Sequence, residues 1–281
     1  QRQMCIRDRD PSSDYDPDGS IADMGAYPSP YGTPVPIVLN VPEEYSSIQS
    51  ALSAAGTGDT VLVQPGTYTE NIIWPETNGI KLISAGDSSN TIIDGGGLSS
   101  VIYMNPQSAT IDTTTQIQGF KIINGQSSNG GGVLIVLSSP KINDSHFQEN
   151  AASTNGGALY VEGSSSNPVI INNTFKNNTA SSGGGIAFNQ SLGVMKNTRV
   201  ISNNSSGNGG GVLIEGGSPI LSKLLIKNNI SGFTGGGIGI YLSSESELSD
   251  LIIDENSASY GGVRGVTNSS PSFQNLTVKN N

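Results

Sequence analysis

The chain has 281 residues, with 13 lysines and arginines against 23 aspartates and glutamates, a formal charge of −10, and only 13% charged residues. That balance argues against nucleic acid or an anionic membrane as partner. No apolar run approaches membrane-spanning length, and a single cysteine excludes a disulfide framework.

The first segment, Gln3-Met-Cys-Ile-Arg-Asp-Arg9, reads as a translated sequencing adapter. Residues 1–9 are therefore read as non-native, with a short charged leader as the alternative. Setting them aside removes the only cysteine and with it thiol catalysis. Residues 10–36 are rich in Pro, Asp and Ser and lack an apolar period. They read as the tail of a preceding module followed by a proline-rich linker from Pro28 to Pro36. Within the tail, Asp14, Asp16 and Asp18 alternate before Gly19, which is calcium-loop spacing, and Asp23 could supply a further oxygen. Pro17 inside the loop and Gly25 at its twelfth position depart from the full pattern. A plain acidic turn is the competing reading, and Ca2+ is the only cofactor the sequence offers.

From Ile37 the chain reads as one domain, 37–281. Val41–Gly56 holds the one convincing helix, with Ile48, Ala51, Leu52 and Ala55 on one face, Ser46 and Gln49 as a capping box, and Gly56 as terminator. Its expected role is to plug the apolar end of the domain. Gly58–Ile72 reads as strand, Pro65-Gly66 turn, strand. Further strands are expected at Ile80–Ile83, Thr91–Asp94, Val101–Met104 and Ile117–Ile123.

After Gly130 the sequence repeats. Glycine pairs precede a small or β-branched residue at Val133, Ala158, Ile186, Val212, Ile238 and Val263. Apolar residues stand three positions before asparagines in Phe147/Asn150, Phe175/Asn178, Ile201/Asn204, Ile226/Asn229, Ile253/Asn256 and Val278/Asn281. Both markers recur about every 26 residues, the signature of a solenoid. Alternation within each unit is strand-like, so the expected fold is an all-β parallel β-helix whose coils rise about 4.8 Å each. The two marker columns should form inward ladders, and asparagine should hydrogen-bond its copies in adjacent coils. A third ladder of Ile142, Ile170, Leu221, Leu248 and Phe273 counts onto Lys196 in the third coil, where Met195 is expected to fill the slot through a bulge. No C-terminal cap is visible after Asn281, so further coils are expected.

Gly-Gly-Ala-Leu at 156–159, with Phe-Gln-Glu-Asn at 147–150 and Phe-Lys-Asn-Asn at 175–178, resembles the repeats of polymorphic outer-membrane proteins. The run from Tyr45 to Ile72, through Ser47-Ile-Gln, Gly58-Asp-Thr-Val and Pro65-Gly-Thr-Tyr, resembles the start of pectin-lyase-like β-helix proteins. Asp16–Tyr27 resembles a tail that ends β-helix modules in large secreted bacterial proteins. These resemblances imply a right-handed helix, in keeping with the crossover rule, and a secreted, cell-surface or outer-membrane-associated, multi-module protein.

Enzymes of that superfamily need carboxylates converging with a base, or paired carboxylates. His146 is the only histidine and should face outward without a partner. Asp144, Asn172, Thr198, Lys223 and Asp250 share one column, where Lys223 and Asp250 would be an exposed ion pair. Asp144 and Arg199 lie two coils apart with no further acids nearby. No catalytic residue is assigned. A second column, Leu134, Leu159, Ala187, Leu213, Gly239 and Arg264, should point outward, and exposed leucines in line mark a contact strip unless long turns cover them. Leu134, Leu159, Leu213 and Arg264 are the candidate binding residues, and Trp74, Tyr160 and Tyr241 the candidate sugar platforms. The function read from the sequence is an adhesive β-helix segment facing a polysaccharide, surface glycan or other partner. The alternative is a calcium-dependent polysaccharide lyase or a glycoside hydrolase.

Overall fold

The computed structural model describes residues 35–108, 110–242, 244–265 and 269–281. The acidic loop of Asp14, Asp16, Asp18 and Asp23 lies outside the described residues. Residues 37–281 form one compact unit, a parallel β-helix of four stacked sheets. Sheet A has ten strands, from Val38–Val41 to Ser272–Gln274, and sheet B nine, from Gly66–Thr69 to Thr277–Lys279. Sheet C has eight, from Ile72–Ile73 to Val263–Gly265, and sheet D five short polar ones, from Gln126–Asn129 to Ile230–Ser231. In the repeated region each coil runs A, B, D, C, and every strand pairs in parallel with its copy in the next coil.

The register identifies the ladders. In sheet B, Phe147, Phe175, Val200, Ile226 and Ile253 stack in sequence and are fully buried. Phe147 and Phe175 lie 4.6 Å apart with rings nearly parallel. In sheet A, Ile142, Ile170, Met195, Leu221, Leu248 and Phe273 stack. Each buried side chain of this size contributes about 1.5–3 kcal/mol relative to exposure, and no single coil could bury them alone.

Two expectations are corrected by one residue. The third coil uses Val200 and Asn203, not Ile201 and Asn204: Val200 is buried and Asn203 bridges Asn178 and Asn229. With Asn203 as marker, Met195 precedes it by the same eight positions as Ile170 precedes Asn178. Met195 thus fills its slot without a bulge. In sheet C, Val133 pairs with Leu159, and Leu159 with Ile186. Ala158 instead stands beside the glycines, its N–H donating to Gly185 O at 2.9 Å and its carbonyl accepting from Val133 N at 2.7 Å. The repeat is a glycine triplet whose third member is Ala158 in this coil.

The first triplet member turns the corner. Gly130, Gly156, Gly183, Gly209 and Gly235 have φ between 58° and 64°, a conformation L side chains rarely adopt. At the second member, backbone packs on backbone: a Cβ on Gly184 would lie 2.5 Å from Gly210 O and from Asn204.

Helix α1 (Ile48–Ala54) buries Ile48, Ala51 and Leu52 over the first coils. The N-cap is Ser47 rather than Ser46, paired reciprocally with Ser50, and the C-cap is Ala55 rather than Gly56. Gln49, freed from capping, accepts from Ile73 N at 2.7 Å and donates to Ile73 O at 3.1 Å. Its amide replaces the missing neighbour at the edge strand of sheet C. Glu70 accepts from Ile48 N and Gln49 N at 2.9 Å each, placing a carboxylate at the positive end of the helix. Asp59 accepts from Gly56 N at 2.7 Å and Ile37 N at 2.9 Å. The Ser-Ile-Gln, Gly-Asp and Tyr-x-Glu elements of the opening are therefore parts of one cap.

Candidate functional site

The outer row of sheet C runs Tyr103, Leu134, Tyr160, Ala187, Leu213, Gly239, Arg264. Leu159 is not in it: it is fully buried in the core, and Tyr160 holds the outward slot. The row is also covered. Tyr160 and Leu213 are each 3% exposed and Ala187 1%, packed with Leu134 and Tyr241 into a second apolar cluster. The cover comes from the segments that connect sheet B to sheet C. Ser127, Ser128 and Asn129 face Tyr103 and Leu134, and a Cβ on Gly183 would lie 2.8 Å from that of Ala187. Tyr241 meets Thr234 hydroxyl to hydroxyl, and Tyr160 Oη accepts from Asn189 Nδ2 at 2.8 Å. Arg264 lies beyond this cover, its guanidinium 5.0 Å above the Tyr260 ring. The four candidate binding residues therefore do not form one exposed strip.

The three candidate sugar platforms do not form one exposed surface either. Trp74 is mostly buried beside α1, in a 560 Å3 cavity with Tyr103, Asn71 and Asn105. Tyr160 and Tyr241 belong to the covered cluster.

The corner between sheets A and B carries left-handed residues Asp144, Asn172, Asn197, Lys223, Asp250 and Asn275. Asn197 replaces the expected Thr198, through the same third-coil offset. Lys223 and Asp250 make no ion pair; Asp250 accepts from Asn275 Nδ2 at 2.9 Å and Asp144 from Asn172 Nδ2 at 3.1 Å. These are local corner bonds. Among the described residues, no group of three or more His, Cys, Asp or Glu side chains could hold a metal.

Sheet B presents a different surface. Its two outward columns are Lys121, His146, Thr174, Arg199 and Ile123, Gln148, Lys176, Ile201 over four consecutive coils. No carboxylate occupies any of these eight positions. His146, Gln148, Thr174, Lys176, Arg199 and Ile201 line a 470 Å3 groove. His146 faces outward as expected. Although it reaches solvent, its pKa is lowered, first by partial burial and then by the charges of Lys121 and Arg199, with Asp87 opposing. Sequence reasoning passed over this groove because its cations Lys176 and Arg199, and Lys121 on the strand beside it, are far apart along the chain and share a face only in the correct register.

Similarity to known proteins divides in the same way between repeat and fold. Residues 144–162 match the Chlamydia polymorphic membrane protein repeat. No curated protein sequence is significantly similar to the chain. Among solved structures, the chain is similar to the pectin methylesterase of Aspergillus niger at 14% identity, covering 87% of this chain and 85% of that one, TM-score 0.54. It is similar to pectin methylesterase PemA of Erwinia chrysanthemi at 9% identity, covering 83% and 81%, TM-score 0.50. Escherichia coli ybhc is similar at 13% identity, covering 85% and 77%, TM-score 0.50. The fold is a parallel β-helix shared with these pectin methylesterases, and residues 144–162 within it match the polymorphic membrane protein repeat.

Proposed function

We propose that the chain is a structural and adhesive β-helix segment of a secreted or surface-attached protein, part of a longer multi-module chain, presenting a sheet face to glycans or a partner. One observation carries this reading: sheet C has part of its outer face roofed by the chain itself, whereas the outer face of sheet B opens as a groove across three consecutive strands, His146–Gln148, Thr174–Lys176 and Arg199–Ile201. The match of residues 144–162 to a membrane-protein repeat supports a surface location. Among the described residues, no helix is long and apolar enough to cross a membrane. The second reading, an enzyme acting on pectin, is favoured by the fold shared with pectin methylesterases. Fold alone does not carry activity. The test is to expose the full chain to a panel of immobilised glycans and, in parallel, to methylesterified pectin with and without calcium. Saturable glycan binding without released methanol or unsaturated sugar supports the adhesive reading; turnover replaces it with the enzyme.

A further inference from the structure

The outer face of sheet B departs from the charge of the whole. The chain is acidic, yet Lys121, Lys176 and Arg199 project from consecutive or nearly consecutive coils of one sheet. The ion pairs among the described residues all involve Lys227 or Lys279 further along the sheet, so Lys121, Lys176 and Arg199 have none. The nearby carboxylates are engaged by other donors. Asp87 approaches His146 but accepts from Ser89 N and Oγ, Asp94, beside Ile123 on the next strand, accepts from Gly96 N and Asn124 Nδ2, and Glu149 at the rim accepts from Gln148 Nε2 at 2.5 Å. Neighbouring strands rise about 4.8 Å, so Lys121 and Arg199, three coils apart, span roughly 14 Å along the axis. Thr174 and His146 add hydrogen-bonding groups between the cations, and Ile201 adds an apolar wall. Like charges this close on a surface with little else to neutralise them raise the local concentration of anions.

We propose that this groove, from His146 to Arg199 on sheet B with Lys121 on the strand beside it, is a binding site for the anionic groups, sulfate or carboxylate, of a polysaccharide lying along the helix axis. The inference rests on the reading of the chain as a glycan-presenting scaffold. The cations supply charge complementarity, Thr174 and Gln148 supply sugar-hydroxyl partners, and the regular coil spacing supplies a repeating frame for a repeating ligand.

The experiment measures binding of the full chain to dextran sulfate, to polygalacturonate and to neutral dextran, at low and high salt. Two variants are compared: Lys176→Gln with Arg199→Gln in the groove, and Lys141→Gln with Lys223→Gln off it, an identical change in net charge. All substituted side chains are on the surface, and matching thermal unfolding establishes that each variant is folded. Binding of at least one polyanion, weakened by salt and by about tenfold in the groove variant but unchanged in the control pair, is the expected result. Dextran sulfate alone would assign sulfate, and polygalacturonate alone carboxylate. Equal loss in both variants, comparable binding of neutral dextran, or no binding of either polyanion would overturn the site. Glycan binding that survives Lys176→Gln with Arg199→Gln removes the groove but leaves the adhesive reading; pectin turnover removes the adhesive reading but leaves the groove.

Discussion

Asn203 receives two hydrogen bonds from Asn178 on one oxygen: Asn178 N donates to Asn203 Oδ1 at 3.0 Å and Asn178 Nδ2 donates to it at 2.9 Å, across 25 residues of sequence. Asn203 in turn donates Nδ2 to Phe175 O at 3.0 Å and to Asn229 Oδ1 at 3.0 Å. The ladder from Asn150 to Asn281 repeats this pattern. Both residues are fully buried, so every polar atom there depends on the coil above or below.

Asn203→Ala leaves Asn178 N buried without its partner and removes the amide bonds to Asn178 Nδ2, Phe175 O and Asn229 Oδ1. Unsatisfied buried groups each cost about 1–3 kcal/mol, so a loss of about 2–4 kcal/mol is expected. Denaturant unfolding measures it. A loss under about 1 kcal/mol would mean the ladder is not a principal tie between coils.

Gly184→Ala places a methyl group 2.5 Å from Gly210 O and the Asn204 backbone. Backbone cannot yield as a flexible side chain does, so a loss above about 3 kcal/mol is expected. Gly265→Ala is the matched control, because nothing lies within 4 Å of its Cβ. Comparable melting temperatures for the two variants would contradict the tight corner.

Leu213→Ala separates a surface leucine from a roofed one. Leu213 is 3% exposed and packs with Tyr160 and Ala187, so truncation should remove about 2–3 kcal/mol of stability. An exposed leucine would give almost no change. The same variant should leave glycan binding at sheet B unaltered, which binding to the immobilised glycans tests directly.

His146 is held below its ordinary value near 6.5, chiefly by partial burial and further by Lys121 and Arg199. The unfolded chain, with the higher pKa, takes up the proton first. Stability contributed at this position is therefore full above about pH 6.5 and falls as the pH drops below it. The only histidine in the chain gives an isolated NMR signal. Its midpoint should lie below 6.5 and move upward in Arg199→Gln. An unchanged midpoint in that variant would show that Arg199 does not face the ring.

The fold was legible because period and alternation are properties of the sequence itself. Phase was less legible. Asn203 and Asn204 are adjacent, and so are Gly156, Gly157 and Ala158; a doublet or a conservative replacement hides which member holds the slot until the coils are stacked. That ambiguity put Leu159 outside and Ile201 inside, each one residue from the truth. Sheet D was invisible because strands such as Gln126–Asn129 are polar throughout and owe their extension to neighbouring coils. The cover over Tyr160 and Leu213 is tertiary, and no local pattern announces it. The sheet B groove needed both correct phase and correct facing, since Lys121, Lys176 and Arg199 look like scattered surface charges in the sequence.

Since each coil of this β-helix bonds only to the coils beside it, growth of such a protein is quantised. Duplicating or excising a whole unit of about 26 residues between equivalent asparagines would rejoin like with like, changing reach by about 4.8 Å and leaving the seams intact. An insertion of one residue beside Gly184 would instead throw an entire coil out of step with both neighbours. Genes encoding this architecture can vary its length freely only in that one currency of complete turns.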